Sequence, residues 1–305
     1  MILSMIGRRH FLTTAALASS AAALRATIGT KPHVATNVYP WMMFYRRRDQ
    51  NWNDDVAAGL AQVATSGVNG FEPIGESAAD VRQLGPLLEK HKLEMRSLYV
   101  NIKLHETAAV EKAIRGVLDI AKEAKAQRTK IIVTNPTPIR WGGLEDKSDA
   151  QLKVQSTALN ELGIEIRKLG LTLAYHNHDA ELRQGAREFH HMLTATDPEN
   201  VKLCLDSHWI FRGCGNSQVA LFDAVAHYHT RIVELHLRQS VGGIWSEAFS
   251  MEGDIDYTRL FEQLETWQLK PHLVLEQAVE AKSPNTRSAV EAHQLGLKNL
   301  LQAIQ

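Results

Sequence analysis

Residues 171–179, Leu-Thr-Leu-Ala-Tyr-His-Asn-His-Asp, join a short apolar run to a cluster of polar side chains. Residues 171–176 have the length and composition of a buried β-strand, and residues 151–169 before them carry apolar side chains at helical spacing. Gly170 lies between the two, where a glycine commonly ends a helix. The stretch therefore predicts a helix, a tight turn and a buried strand that ends in imidazole side chains.

The same unit repeats along the chain. Eight candidate strands begin about 25 to 40 residues apart: residues 34–38, 70–74, 94–100, 130–135, 171–176, 202–206, 232–237 and 272–276. The clearest helices span residues 54–65, 107–126, 151–169 and 257–267, and residues 288–305 are expected to form a last helix. The alternation predicts a parallel sheet covered by helices, and eight units favour a closed (β/α)8 TIM barrel over an open sheet. A dinucleotide-binding fold is disfavoured, because no Gly-x-Gly-x-x-Gly pattern follows the first strand.

The first 26 residues have the pattern of an export signal. Arg8 and Arg9 precede Phe11 and Leu12, and an uncharged run of small and apolar residues follows. This arrangement resembles a twin-arginine signal, whereas the alternative is an ordinary amphipathic first helix. We expect residues 27–305 to form the barrel of a periplasmic or otherwise exported protein. The run is too short and too rich in Ala and Ser to span a bilayer, so we expect no membrane span in the mature form.

The charges of the chain balance, with 34 Lys and Arg residues and 34 Asp and Glu residues. A chain without net charge lacks the basic surface that binds nucleic acids or anionic membranes, so neither partner is expected. Two cysteines, Cys204 and Cys214, are too few for a disulfide scaffold or a cysteine-rich zinc site. Cys204 falls within a candidate strand and is expected to be buried, with a disulfide to Cys214 as the alternative.

Polar side chains follow nearly every candidate strand, at the edge where (β/α)8 barrels hold their active sites. His176, Asp206, His236 and Glu276 are separated by 30, 30 and 40 residues, which is one strand–helix unit each. Four adjacent strands would bring two imidazoles and two carboxylates to one rim. This mixed set suits one divalent cation, Mn²⁺, Co²⁺, Fe²⁺, Zn²⁺ or Mg²⁺, with positions open for substrate oxygens. Taken singly, each of these residues is more often a hydrogen-bonded structural residue, and it is their joint spacing that favours a metal site.

Other side chains at the strand ends are candidates for contact with a substrate. The substrate-binding candidates are Trp41, Glu72, Asn101, His208, Arg238 and Trp245. The candidates for proton transfer are Glu276, His178 and Lys103, since a carboxylate, an imidazole and an amine can each exchange a proton. A solvated rim position is the alternative for such residues, and Trp41 could equally pack the top of the barrel.

These motifs together resemble the sugar isomerase/epimerase family with a xylose-isomerase-like barrel, which also includes apurinic endonucleases. The resemblance covers roughly residues 33–300 and rests on Gly70-Phe71-Glu72, residues 175–179, Leu205-Asp206, His236-Leu237-Arg238, residues 252–257 (Glu-Gly-Asp-Ile-Asp-Tyr) and Leu275-Glu276. It implies that ligands at the ends of strands 5 to 8 hold one divalent cation, which chelates two oxygens of a keto sugar. Proton removal beside the carbonyl would then give a metal-stabilised enediolate.

Two positions depart from the family pattern. Strand 5 has His176-Asn177-His178 where many members have Glu-Asn-His, and Gln239 stands where Asp is frequent after strand 7. Both changes make the site less anionic. They favour one-base chemistry, β-elimination or hydration, over a symmetrical two-carboxylate epimerase. The resemblance is thus to a His-Asn-His subgroup, in which either His176 or His178 is the ligand. His176 is preferred because it aligns with the family's Glu.

We therefore expect an exported, metal-dependent isomerase, epimerase or lyase whose substrate is an unphosphorylated keto sugar or oxidised glycoside. The alternative is a non-catalytic exported barrel that binds carbohydrate through its aromatic rim without a metal. Cleavage of DNA, as in the apurinic endonuclease branch, would need a basic groove that the balanced charge does not provide. The identity of the metal, the sugar and the reacting carbon stay open, as does the formation of a homo-oligomer.

Overall fold

A computed structural model describes residues 32–304 of the chain. Within it, one sheet contains eight parallel strands: β1 Val34–Asn37, β2 Gly70–Glu72, β3 Ser97–Ile102, β4 Ile131–Pro136, β5 Thr172–His176, β6 Lys202–Asp206, β7 Ile232–Leu237 and β8 His272–Leu275. The export signal predicted over residues 1–26 lies outside the described residues.

The strands close into a barrel. Their order across the sheet is β2-β1-β8-β7-β6-β5-β4-β3, so neighbours in sequence are neighbours in space. The outer strands β2 and β3 meet through two isolated parallel bridges, Gly70 with Glu94 and Ile74 with Tyr99. The predicted (β/α)8 TIM barrel is therefore confirmed, and each of the eight predicted strands is present with ends that shift by at most three residues.

Ten α-helices connect and cover the strands in the described part of the chain: α1 Val38–Arg46, α2 Val56–Thr65, α3 Ala78–Lys90, α4 Thr107–Ala126, α5 Asp149–Lys168, α6 Arg183–Thr194, α7 Ser207–Gly213, α8 Gln218–Tyr228, α9 Tyr257–Thr266 and α10 Ala289–Ala303. Local sequence explains several of their boundaries. Ser148 and Ser288 each form a capping box with the Gln or Glu three residues later, which satisfies free amides at the start of α5 and α10. The sequence predicted α4 with its observed bounds.

The helix α1 is the main element that the sequence pattern did not predict. The Asn37 side chain at the end of β1 accepts a hydrogen bond from the Tyr39 amide and so caps a helix that begins at Val38. Pro40 falls in the first turn, where the missing amide hydrogen costs no helical hydrogen bond. The polar ending of β1 therefore starts a helix that packs against α10.

The barrel interior contains a small apolar layer made by Tyr99, Ile131, Val133, Ala174 and Cys204. Cys204 is buried, as predicted, and both cysteines are free, so the disulfide alternative is not formed. Between residues 32 and 304, no helix is both long and apolar enough to cross a membrane.

Candidate metal centre

The four predicted ligands lie together at the carboxyl ends of four adjacent strands. His176 ends β5, Asp206 ends β6, His236 lies one residue before the end of β7, and Glu276 directly follows β8. All four side chains are buried. One donor atom from each lies within 4.8 Å of the others. The arrangement thus offers two nitrogens and two carboxylate oxygens around a single point, a donor set that suits a divalent transition metal ion.

Several donor atoms of these four residues lack a hydrogen-bond partner within residues 32–304, and a bound cation would supply one. Neither ring nitrogen of His176 has a hydrogen-bond partner among the described residues, and Asp206 Oδ2 also lacks one there. Buried polar atoms rarely remain unpaired, because each carries the full cost of its lost hydration. Burial, followed by the nearby His236 and His178, holds the pKa of His176 well below its usual range, so its imidazole is neutral. Neutral imidazole is the form that binds a metal.

The His236 ring is held from behind by carboxylates. Its Nε2 lies 3.0 Å from Glu72 Oε1 and 3.2 Å from Glu234 Oε1, whereas its Nδ1 faces Glu276 Oε2 at 3.2 Å. The second ring N–H of a metal-binding histidine commonly donates a hydrogen bond to a carboxylate, which fixes the tautomer and the orientation of the ring. Nδ1 is therefore the nitrogen that faces the other ligands. Because the Glu276 carboxylate can only accept a hydrogen bond, Nδ1 carries a proton in the metal-free protein, and a cation would take the place of that proton. Glu72, predicted to bind substrate, instead lies beneath His236 and accepts a hydrogen bond from Asn37 Nδ2 at 2.6 Å.

Arg238 supplies a buried positive charge beside the ligands. Its Nη2 donates to Glu276 Oε2 at 2.8 Å and lies 3.7 Å from Asp206 Oδ2. Burial opposes ionisation of Glu276, but the charges of His236 and Arg238 outweigh it and hold the pKa of that carboxyl well below its usual range. For Asp206, burial dominates over Arg238 and raises the pKa to about 7. The Arg238 guanidinium therefore balances part of the buried negative charge.

Aromatic rings form one wall of the site. The Arg238 guanidinium lies 4.4 Å from the ring centroid of Trp245 and 5.0 Å from that of Trp209. The His178 ring stacks on His176 with centroids 4.8 Å apart and lies 5.7 Å from the ring of Trp209. Burial lowers the pKa of His178 to about 4. Trp245, Arg238 and His178, all sequence candidates, thus lie close to the four ligands.

Three other candidates lie differently from the predicted arrangement. Trp41 is fully buried, stacks on His293 with centroids 4.2 Å apart and donates to Thr36 Oγ1. It therefore has the packing role that was the alternative to substrate contact. Lys103 is half exposed and pairs with Glu106 at 2.7 Å. Asn101 is exposed near the end of β3. Over residues 32–304, no hydrogen bond or ion pair joins any of these three side chains to the four ligands.

Two buried carboxylates at the site were missed by the sequence reasoning. Glu234 lies two residues before His236 on β7 and therefore points to the same side of the strand. The two-residue spacing from His236 was therefore the sequence signal that could have identified Glu234. Glu181 accepts hydrogen bonds from the His178 amide at 2.6 Å and from Asn135 Nδ2 at 3.2 Å, and so fixes the loop after β5. It lies in a short 3₁₀ helix whose burial no periodicity indicated.

Comparison with known proteins decides the family. Residues 60–299 match the family described as xylose isomerase-like TIM barrel. The chain belongs to this family. The match confirms the family-level resemblance inferred from the motifs at the strand ends, and it covers the strands that carry all four candidate ligands.

Relatives of this xylose isomerase-like barrel are enzymes of the lyase and isomerase classes, which confirms the prediction of an enzyme. An inosose dehydratase of Lacticaseibacillus casei is 23% identical over 230 residues, which cover 68% of this chain and 76% of that protein. A sugar phosphate isomerase/epimerase of Parabacteroides distasonis superposes with a TM-score of 0.69 at 16% identity and covers 92% of this chain and 98% of its own. The 3-keto-D-glucoside 4-epimerase YcjR of E. coli gives 0.61 at 15% identity, covering 89% and 99%. The two structural likenesses show the fold alone.

Proposed function

We propose that this protein is a divalent-metal-dependent enzyme that removes a proton from the carbon beside the carbonyl of a keto sugar or oxidised glycoside. The observation that carries the proposal is the buried set of His176, Asp206, His236 and Glu276, whose donor atoms converge while several remain without a hydrogen-bond partner in the described part of the chain. A purely structural cluster would be expected to satisfy these atoms internally.

The four residues would hold the cation through His176, Asp206, His236 Nδ1 and Glu276. Mn²⁺, Co²⁺, Fe²⁺, Zn²⁺ and Mg²⁺ are all compatible with two imidazoles and two carboxylates. When bound, such an ion acts as a Lewis acid that stabilises negative charge developing on a substrate oxygen. We assign the ligand role to His176 over His178, because His176 ends β5 within the converging set.

The chain's own residues would orient the substrate and move its proton. His178 stacks on His176 and has a buried Nδ1 without a hydrogen-bond partner among residues 32–304, which makes it our leading proton acceptor. Glu276 is the second candidate, held in place by Arg238. The Nη1 of Arg238 is likewise buried and unpartnered within that range, so it is available to a substrate oxygen. Lys103 is the weakest candidate because Glu106 already engages its amine at the surface.

Isomerase and lyase activities would share this first step. Loss of the proton leaves the electron pair on the substrate as an enediolate, which can be reprotonated to give an isomer or epimer. Alternatively, the same electron pair can expel a hydroxyl group from the next carbon, which leaves as water once it takes up a proton. The curated relative named above is a dehydratase, which supports elimination on this site.

We also propose that the enzyme is exported. The paired Arg8 and Arg9 before Phe11 and Leu12, followed by an uncharged stretch, support delivery through the twin-arginine route. Replacement of both arginines by lysine in the full chain should prevent arrival in the periplasm, as measured by cell fractionation. Unchanged periplasmic delivery of the double variant would contradict this route.

Hydrogen exchange tests the proposed reaction whichever product it gives. The metal-loaded protein is incubated in D₂O with ketohexoses, an inosose and 3-keto-glucosides, and proton NMR follows the carbon beside each carbonyl. We expect deuterium to enter at that carbon of at least one compound. Chelator treatment or His236→Ala should abolish the exchange. Tight sugar binding without exchange would instead favour the non-catalytic carbohydrate-binding barrel.

A further inference from the structure

A chain of three hydrogen-bonded side chains lies next to the ligand Asp206. His208, two residues further on in α7, places its Nε2 2.9 Å from Ser240 Oγ. Ser240 begins a short hairpin after β7, and its Oγ lies 2.6 Å from Asp254 Oδ2. His208 and Ser240 are fully buried. The mechanism derived above uses neither Ser240 nor Asp254.

The direction of each hydrogen bond in this chain follows from the groups involved. Asp254 also accepts from the amides of Gly242 and Gly243, at 2.9 and 2.7 Å. Although burial acts in the opposite direction, these bonds and the Ser240 hydroxyl lower the pKa of Asp254, so it is a carboxylate that can only accept. Ser240 has one hydroxyl proton and gives it to Asp254. Its oxygen therefore accepts a hydrogen bond from His208 Nε2–H.

The tautomer of His208 is thereby fixed. A neutral imidazole carries one ring proton, and among the described residues no carboxylate bonds the His208 ring to hold a second one. With that proton on Nε2, the lone pair is on Nδ1. In the described part of the chain, this Nδ1 is buried and has no hydrogen-bond partner. An unpaired buried acceptor next to a ligand calls for a donor that the protein itself does not supply.

We propose that Asp254 and Ser240 are positioning residues that hold His208 as a hydrogen-bond acceptor for one hydroxyl group of the substrate. The inference deepens the proposed function, on which its substrate part rests. A hydroxyl can donate to Nδ1, whereas a keto oxygen or an ether oxygen cannot. The site therefore selects a sugar with a free hydroxyl at this position over its deoxy or O-methyl analogue.

If Asp254 served only to hold the hairpin together, removal of the Ser240 hydroxyl would leave the tautomer of His208 unchanged. Asp254 also ties the hairpin through the Gly242 and Gly243 amides, and those bonds do not involve the Ser240 hydroxyl. Ser240→Ala removes the hydroxyl and leaves the hairpin bonds in place. Ser207→Ala is the matched control, because the buried Ser207 hydroxyl bonds to the Tyr257 hydroxyl and not to the His208 ring.

The tautomer can be measured directly. Two-bond ¹H–¹⁵N correlation spectra of the metal-free protein at pH 7 distinguish the two neutral tautomers, with His208 assigned through His208→Gln. We expect the Nε2–H tautomer in wild type and in Ser207→Ala, and a mixture or the Nδ1–H tautomer in Ser240→Ala. A wild-type Nδ1–H tautomer, a protonated ring, or a Ser240→Ala spectrum identical to that of wild type would overturn the positioning role.

Binding of analogues tests the substrate part. For any sugar that exchanges deuterium, one monodeoxy analogue should bind wild type about tenfold or more weakly, and Ser240→Ala should lose most of that discrimination. Equal binding of every monodeoxy analogue to wild type would overturn it. The tautomer measurement needs no substrate and no metal. The tautomer result would therefore stand even if the proposed enzymatic function were wrong. Failure of the positioning role and failure of the proposed function can thus be told apart.

Discussion

The Nδ1 atom of His236 lies 3.2 Å from Glu276 Oε2, while the opposite nitrogen of the same ring is held by buried carboxylates. The orientation of this imidazole is therefore set from inside the barrel. Glu234 is held in turn by two further histidines. Its Oε2 lies 3.0 Å from His272 Nδ1, and His272 Nε2 lies 3.3 Å from His33 Nδ1. A ligand at the carboxyl ends of the strands thus depends on side chains in the layers below.

Glu234→Gln should weaken metal binding. The amide keeps the size of the side chain but gives up the negative charge that favours the Nε2–H form of His236. Loss of such supporting carboxylates typically reduces metal affinity about 10- to 100-fold. Calorimetric titration of the metal-free protein with Mn²⁺ measures the effect. Glu188→Gln is the control, because Glu188 is a largely buried carboxylate paired with Lys147 away from the ligands. Equal Mn²⁺ affinity in wild type and Glu234→Gln would contradict a supporting role.

Arg238→Met should destabilise the metal-free protein more than the metal-loaded protein. Without a cation, Arg238 is the buried positive charge that faces both Asp206 and Glu276. Removing one partner of a buried ion pair costs about 3–5 kcal/mol, because it leaves the other charge uncompensated. A bound cation would offset part of that loss. Thermal unfolding with and without Mn²⁺ makes the comparison, and an equal loss of stability in both states would argue against charge compensation by Arg238.

His293 should make the fold sensitive to acid. Burial lowers its pKa from 6.5 to about 4, while its Nδ1 bonds the Ala289 carbonyl. Because the folded pKa lies below the unfolded one, this contribution to stability is complete above pH 6.5 and is lost as the pH falls toward 4. The loss amounts to at most about 3 kcal/mol. Free energies of unfolding between pH 7 and 4.5 should fall less steeply for His293→Phe than for wild type. Parallel curves would refute the assignment.

Periodicity in the sequence was sufficient to predict the barrel and the four converging residues. The spacing of His176, Asp206, His236 and Glu276 follows the strand–helix repeat, and parallel strands bring such positions to one edge. The same periodicity could not predict which side chains contact each other across the barrel. Glu72 accepts from Asn37 and contacts His236, three residues on three strands whose mutual register the chain pattern does not specify.

Local hydrogen bonds explain the remaining differences. The capping of α1 by Asn37 turned an apolar run into a helix and buried Trp41 against His293 of α10, far along the chain. The Asp254–Ser240–His208 chain joins two loops and α7. The tautomer that it imposes on His208 follows from the direction of each hydrogen bond, which residue spacing does not reveal. The sequence motif around Asp254 was recognised, but the partner of its side chain was not.

Metal content measured by mass spectrometry tests the central claim most directly. Protein comprising residues 27–305 is purified as wild type, His236→Ala and Glu276→Ala, and each is incubated with Mn²⁺ and desalted. We predict about one Mn, Co, Fe or Zn ion per wild-type chain and loss of that ion in both variants, with Glu188→Gln retaining it. Wild-type protein without metal after incubation with Mn²⁺ would contradict the metal centre and the proton abstraction proposed on it.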